Sequence, residues 1–125
     1  ALPHRLVVCL MGDGSLLYNP VVQSLGASRE HSLPLMIIVF NNGGYESMKR
    51  RHLVIYPEGE SAKSGLFFGA KIRPPDYSRL VEAFEGFGEK VEDPEMIKPA
   101  LERGLGEVKK GRPALIDVVL RSIVS

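Results

Sequence analysis

The sequence predicts an α/β fold, a mostly parallel sheet with helices on both faces, and three observations carry that expectation. Short apolar runs at residues 6–11, 35–40 and 113–120 are nearly unbroken by polar residues, the pattern of strands covered on both sides. Strand and helix signals alternate along the chain in the order β-α-β-(loop)-α-β-α-β. Polar clusters stand directly after the first two runs, at Gly12-Asp13-Gly14-Ser15 and Asn41-Asn42-Gly43-Gly44, where the binding edge of an open parallel sheet lies.

Taken in order, residues 6–11 read as a buried strand and residues 12–15 as the turn after it. Asn19-Pro20 offers an N-cap and an N1 proline for a helix through Val21, Val22 and Leu25 towards Arg29. Leu33-Pro34 closes that connection, and residues 35–40 form a second buried strand, with a right-handed crossover expected between the two. A short helix is expected over residues 46–52. Residues 53–75 are punctuated by Pro57, Gly59, Gly65 and Pro74-Pro75, so a covering or mobile loop with little regular structure is predicted. Asp76 caps a helix carrying Leu80, Val81 and Phe84 on one face, ending at Gly86. Residues 89–92 form a short strand. Asp93-Pro94 repeats the cap-plus-proline start for a helix through Ile97, Leu101, Leu105 and Val108, which Gly111 ends. Residues 113–120 are the last strand.

Composition narrows the function classes. The 125 residues make one domain with room for a core. A hydrophobic content of 44%, a charged content of 25% and a net charge of +1 favour neither nucleic acid nor an anionic membrane as partner. The single Cys9 excludes an internal disulfide and a cysteine-rich metal site, and reads as a small buried hydrophobe. No apolar run approaches the ~20 residues of a membrane-spanning helix, and the start, Ala1 to Arg5, has no signal-peptide pattern, so a cytoplasmic protein is expected. His4, His31 and His52 lack metal-ligand spacing, and no Ser–His–Asp or Cys–His arrangement is present; no residue is assigned a catalytic role. Gln23 and Ser24, the basic run Lys49-Arg50-Arg51, and Glu82, Glu85, Glu89 and Glu92 read as solvated surface.

The two polar clusters carry the chemistry. Asp13 offers a hard carboxylate, and Asn41 and Asn42 offer amide oxygens. With a loop carbonyl they are the oxygen ligands that Mg²⁺ or Ca²⁺ prefers, and Mg²⁺ usually shares its shell with substrate phosphates. The neighbouring glycines allow backbone N–H groups to approach a phosphate closely. The alternative is two ordinary tight turns. A generic nucleotide-binding domain is disfavoured by the lack of a Walker lysine and of a dinucleotide glycine fingerprint.

Gly12-Asp13-Gly14-Ser15 followed, after a helix and a strand, by Asn41-Asn42 resembles the cofactor motif of thiamine-diphosphate-dependent enzymes. The likeness is to the C-terminal diphosphate-binding domain of the acetolactate synthase and benzoylformate decarboxylase branch, and it runs from about Arg5 to Leu120. It implies a thiamine-diphosphate-binding fold, with residues 1–125 an N-terminally truncated part of that domain. It also implies thiamine diphosphate and Mg²⁺ as cofactors. Asp13, the Asn42 side chain and the Gly44 carbonyl would bind the metal. Gly12, Gly14 and Ser15 would meet the diphosphate, with Tyr45 either on the cofactor or over the core, and Asn41 would hold the loop.

The family's chemistry resides in the cofactor, so the resemblance implies decarboxylation of a 2-oxo acid, toward an aldehyde or a carboligation product. The activating glutamate belongs to a pyrimidine-binding domain, from the N-terminal part or a partner subunit, so this chain alone would hold half an active site and a homo-oligomer is implied. Substrate signals are mixed. Met48 stands where pyruvate decarboxylase-like members carry a glutamate, and Glu46-Ser47-Met48-Lys49 departs from the Gly-Met and Gln-Trp of acetolactate synthases. Tyr18 and Asn-Asn-Gly-x-Tyr are closer to benzoylformate decarboxylase-like members. An aromatic 2-oxo acid decarboxylase and a non-catalytic assembly or regulatory module are the alternatives.

Overall fold

The computed structural model describes residues 5–121, so His4 and the other terminal residues lie outside it. Strands β1 (Val7–Gly12), β2 (Leu35–Asn41), β3 (Phe87–Val91) and β4 (Ala114–Val119) form one sheet in the order β1-β2-β4-β3. Every pairing is parallel: Gly12 lies opposite Phe40, Asn41 opposite Val119, and Val91 opposite Val118. All four carboxyl ends therefore share one edge, which places Asp13 beside the segment after Asn41.

Alternation along the central strands divides the core in two. Ile37, Val39 and Leu115 face helices α1 (Asp13–Tyr18) and α2 (Val21–Glu30) and a 3-10 helix, Tyr77–Phe84; they pack with Leu16, Val21, Leu25, Tyr77 and Val81. Met36, Ile116 and Val118 turn the other way onto Ala100 and Val108 of a long helix, Ile97–Lys109. The expected α/β layering, helices on both faces of a parallel sheet, is what forms. Polar starts act as the sequence indicates. Asp76 accepts from Ser78 N at 3.1 Å, and Asp93 accepts from Glu95 N at 3.0 Å with Pro94 behind it, each satisfying an N–H that the first helical turn leaves open.

Four local expectations are corrected. The first strand is not buried: Val7, Val8 and Leu10 are 56%, 44% and 63% exposed. Among the described residues it pairs with β2 alone and stands at the sheet edge, while the covering helices centre on β2 and β4. The segment after it is a helix from Asp13 onward, not a turn, because extended Gly12 already serves as N-cap. Asn19 closes α1 rather than opening α2: its Nδ2 donates to Ser15 O at 2.8 Å, and Pro20 takes the N-cap position of α2. Residues 53–75 are not all loop. Helix α3 (Glu46–Ile55) runs three residues further than expected, and α4 (Glu60–Ser64) forms before Gly65, whose φ of 70° ends it. Helix α5 (Ile97–Lys109) matches its expected span after a 3-10 turn, Pro94–Met96.

Candidate functional site

Asp13 is the first residue of α1 and is 2% exposed. Opposite it, the chain leaves β2 through Asn41 and turns through Gly43, whose φ of 70° glycine adopts without a Cβ penalty. The turn brings the Gly44 N–H to 3.2 Å from Asp13 Oδ2 and 3.1 Å from Asn42 Oδ1. A carboxylate and an amide oxygen, 29 positions apart in sequence, thus converge on one N–H. Of the two asparagines, Asn41 lies deeper. It is buried, its Oδ1 accepts from Gly43 N at 3.3 Å, and its Nδ2 donates to Asp117 at 3.0 Å.

A second segment clamps the turn from outside. Tyr45 N donates to Ala70 O at 2.8 Å, Ile72 N donates to Gly43 O at 2.9 Å, and Gly44 and Lys71 form an isolated antiparallel bridge. The approach is close enough that a Cβ on Gly44 would stand 2.7 Å from Ala70 O, so no other residue fits there without movement. Gly14 is likewise occupied: the Tyr45 ring lies 2.6 Å from where its Cβ would be. Gly12 has no side chain to cap α1, and Ser15 is exposed in its first turn. The fold brings Gly12, Asp13, Gly14, Ser15, Asn42, Gly44 and Tyr45 to one edge.

Tyr45 tilts against Tyr18 with ring centroids 5.5 Å apart; partial burial first, then the Tyr18 hydroxyl, hold its phenol above the ordinary value. These rings open onto a cavity of about 380 Å³ between α1, α3 and residues 67–70, lined also by Met48, Lys49, His52 and Phe67. Lys49 is not simply solvated surface, since its Nζ lies 4.9 Å from the Phe67 ring centroid in cation–π range. Arg50, Arg51, Gln23 and Ser24 are exposed as expected. Cys9 is a free thiol, partly buried against the core.

Two residues of the site have no counterpart in the sequence reading. Asp117, fully buried in β4, accepts from Asn41 Nδ2 and from Tyr77 N, the latter at 3.2 Å. Burial pushes its carboxyl above the usual range, against the pull of the Asn41 and Tyr77 donors. Tyr77 is fully buried beside it, and its hydroxyl finds no hydrogen-bond partner among the described residues. Burial first, then the negative charges of Asp13 and Asp117, push that phenol up to about 12. The available signal was one aspartate inside an otherwise apolar strand, since a fully buried carboxylate is rare unless paired.

Chemically, the site gathers oxygen donors and backbone N–H groups, with no nucleophile–base pair among the described residues. No cluster of three His, Cys, Asp or Glu side chains able to hold a metal occurs among the described residues. A cation here would rest on one carboxylate and neutral oxygens, a donor set for a hard ion with a shared ligand. None of the described helices is long and apolar enough to cross a membrane.

Comparison with known proteins identifies the family. Residues 1–118 match the family model described as thiamine pyrophosphate enzyme, C-terminal TPP binding domain. The chain is 30% identical over 120 residues to the acetolactate synthase isozyme 3 large subunit of Escherichia coli (strain K12), covering 96% of this chain and 20% of that protein. It is 33% identical over 123 residues to a 2-hydroxyacyl-CoA lyase of Arabidopsis thaliana, with coverage of 96% and 20%. Among solved structures, a thiamine diphosphate-dependent 4-hydroxybenzoylformate decarboxylase of Rhodococcus jostii RHA1 superposes with a TM-score of 0.78 at 25% identity, over 99% of this chain and 21% of that one. The chain thus spans about a fifth of the length of the relatives it matches.

Proposed function

Because the chain belongs to the family of C-terminal TPP-binding domains of thiamine pyrophosphate enzymes, we propose that it holds thiamine diphosphate through Mg²⁺, as part of a 2-oxo acid decarboxylase or carboligase of acetolactate synthase type. The observation that supports this most directly is the convergence of Asp13 Oδ2 and Asn42 Oδ1 on the Gly44 N–H. Two hard oxygens from different strand ends accept from this one N–H, a donor chemistry that suits Mg²⁺ beside a diphosphate. Asp13, the Asn42 side chain and the Gly44 carbonyl would hold the metal. Gly12 and Gly14, with the Ser15 N–H and hydroxyl, would meet the diphosphate at the start of α1, where first-turn N–H groups lack intrahelical partners. The Tyr45 ring, packed over Gly14, would flank the bound group.

Bound thiamine diphosphate supplies the thiazolium carbanion chemistry that lets a 2-oxo acid lose CO₂. This chain's residues would bind and orient the group and shield it from water. Residues 1–125 would form the diphosphate- and Mg²⁺-binding part, with a pyrimidine-binding domain, from the N-terminal part of the same protein or a partner subunit in a homo-oligomer, completing the active site. The aromatic walls and the Lys49 ammonium of the cavity beside Tyr45 favour a second reading of the substrate: an aromatic 2-oxo acid, its ring against Tyr18 and Phe67.

Calorimetric titration with thiamine diphosphate, in Mg²⁺ and then in EDTA, tests the proposal on this chain and on one extended to include the pyrimidine-binding domain. Mg²⁺-dependent binding is expected in the extended chain and its loss in Asp13→Ala. Failure of the extended chain to bind in Mg²⁺ would overturn the assignment.

A further inference from the structure

We propose that Asp117 is a positioning residue for the cation-binding turn, acting through Asn41 to aim Asn42 and Gly44 at Asp13; this rests on the Mg²⁺–thiamine diphosphate reading above. A carboxylate with no solvent exposure in the middle of β4 is expensive to desolvate, and an apolar residue of similar size would suit the sheet interior at least as well. Its position makes sense through its three hydrogen bonds. Tyr77 N donates to Oδ2 at 3.2 Å, and Asn41 Nδ2 donates to Oδ1 at 3.0 Å and to Oδ2 at 3.4 Å.

The pairing has a directional consequence. A carboxylate accepts only, so Asn41 must turn its NH₂ toward Asp117, and its single amide oxygen is left facing the turn. That oxygen accepts from Gly43 N, and Gly43 takes the positive φ that carries Gly44 to Asp13. The two adjacent asparagines are thereby separated in role. Both amide oxygens accept from the turn, Asn41 Oδ1 from Gly43 N and Asn42 Oδ1 from Gly44 N, but it is Asn41 whose amide nitrogen Asp117 also anchors from behind. Asp117 also ties down the start of the 3-10 helix Tyr77–Phe84 through Tyr77 N, so that helix start and the turn after β2 are held by one buried group. The chain is thus Asp117, Asn41, Gly43, Gly44, Asp13, spanning two strands and a helix start with a hydrogen bond or one peptide link at each step.

Three variants of the extended chain test this: Asp117→Asn, Asn41→Ala and the reciprocal double variant Asn41→Asp/Asp117→Asn. In Asp117→Asn a second amide faces the Asn41 amide; if Asn41 flips to pair with it, an NH₂ is turned against the Gly43 N–H. In the double variant the amide at 117 donates to the carboxylate at 41 and keeps an oxygen for Tyr77 N, while the carboxylate accepts from Gly43 N. Two readouts are taken: hydrogen exchange of the Gly43 and Gly44 amides without metal or cofactor, and the Mg²⁺ concentration needed for thiamine diphosphate binding. Both single variants are expected to speed exchange at Gly43 and to raise the Mg²⁺ requirement about 10- to 100-fold, the usual effect of losing a partner behind a metal ligand. The double variant is expected to restore both. A buried carboxylate needed only for packing would not be rescued by moving the charge to position 41, so a folded double variant no better than the single variants overturns the proposal. So do single variants that exchange and bind like wild type. Should the 117 variants not fold, Asn41→Ala decides alone, by whether Gly43 exchange and the Mg²⁺ requirement move. Wild-type protein that binds no cofactor in Mg²⁺ overturns the functional reading itself.

Discussion

Alanine at position 44 tests whether backbone shape, rather than side-chain chemistry alone, builds the site. The added Cβ would stand 2.7 Å from Ala70 O, 3.8 Å from Ala70 C and 3.9 Å from Lys71 Cα. All three are backbone atoms, so no side-chain rotation relieves the contact. Either the closed bridge is retained under strain, about 1–3 kcal/mol for an added methyl in a packed place. Or it opens and gives up the Tyr45 N to Ala70 O and Ile72 N to Gly43 O hydrogen bonds, together about 1–3 kcal/mol. The cheaper route sets the cost, so closure of the bridge weakens by about 1–3 kcal/mol, or roughly 5- to 150-fold in its closing equilibrium. Hydrogen exchange at Tyr45 and Ile72, both amides of the bridge, reads that equilibrium directly. Gly44 belongs to neither apolar cluster, so amides of β2 and β4 should keep their protection while those two lose it. Mg²⁺-dependent thiamine diphosphate binding should weaken alongside. Unchanged protection at Tyr45 and Ile72 in Gly44→Ala would show that the bridge does not shape the turn, and the account of the site given above would fail with it.

Two further outcomes are expected. Tyr77→Phe should leave the fold intact and raise stability by about 1 kcal/mol at neutral pH, because the deleted hydroxyl is buried without a partner among the described residues and such a group is costly to desolvate. It should also flatten the alkaline limb of a stability profile. With the folded phenol at about 12 against an ordinary 10.0, its share of stability is whole below about pH 10 and is lost as pH rises toward 12. A destabilised variant with an unaltered alkaline limb would contradict both statements. Glu107 is held below its ordinary 4.5, first by its hydrogen bond to Lys110 and then by Arg112, which also reaches Glu85 O at 3.0 Å. Its contribution is present above the ordinary carboxylate value and is lost as pH falls through that value toward the lowered one. In denaturant titrations from pH 7 to 3, Glu107→Gln should therefore lose less stability than wild type on the acid side; parallel acid limbs would refute the pairing.

The layering of the fold was legible because parallel strands announce themselves locally. Residues 35–40, and residues 113–120 apart from Asp117, are apolar on both faces, and Asp76, Asp93 and Pro94 mark helix starts by chemistry that acts over two or three residues. The same local rules misread Asn19-Pro20, where the asparagine amide found a carbonyl behind it, at Ser15, instead of an N–H ahead. They also missed α4, since the Pro and Gly flanking it outweighed a five-residue stretch with ordinary helix propensity. For the site, the residue types and their strand-end positions could be read directly, whereas separate roles for Asn41 and Asn42 were only what the family resemblance implied.

What the sequence by itself determined is the alternation of elements and the gathering of oxygen- and glycine-bearing segments at the carboxyl edge, because each follows from periodicity or from the end of an apolar run. Only the tertiary structure decided that β1 is an exposed edge, that residues 70–72 clamp the turn, and that Asp117 stands behind Asn41. Those contacts join residues as many as 76 positions apart. A hydrogen bond across such a separation depends on strand order and packing, and it leaves no period in the sequence from which to infer it.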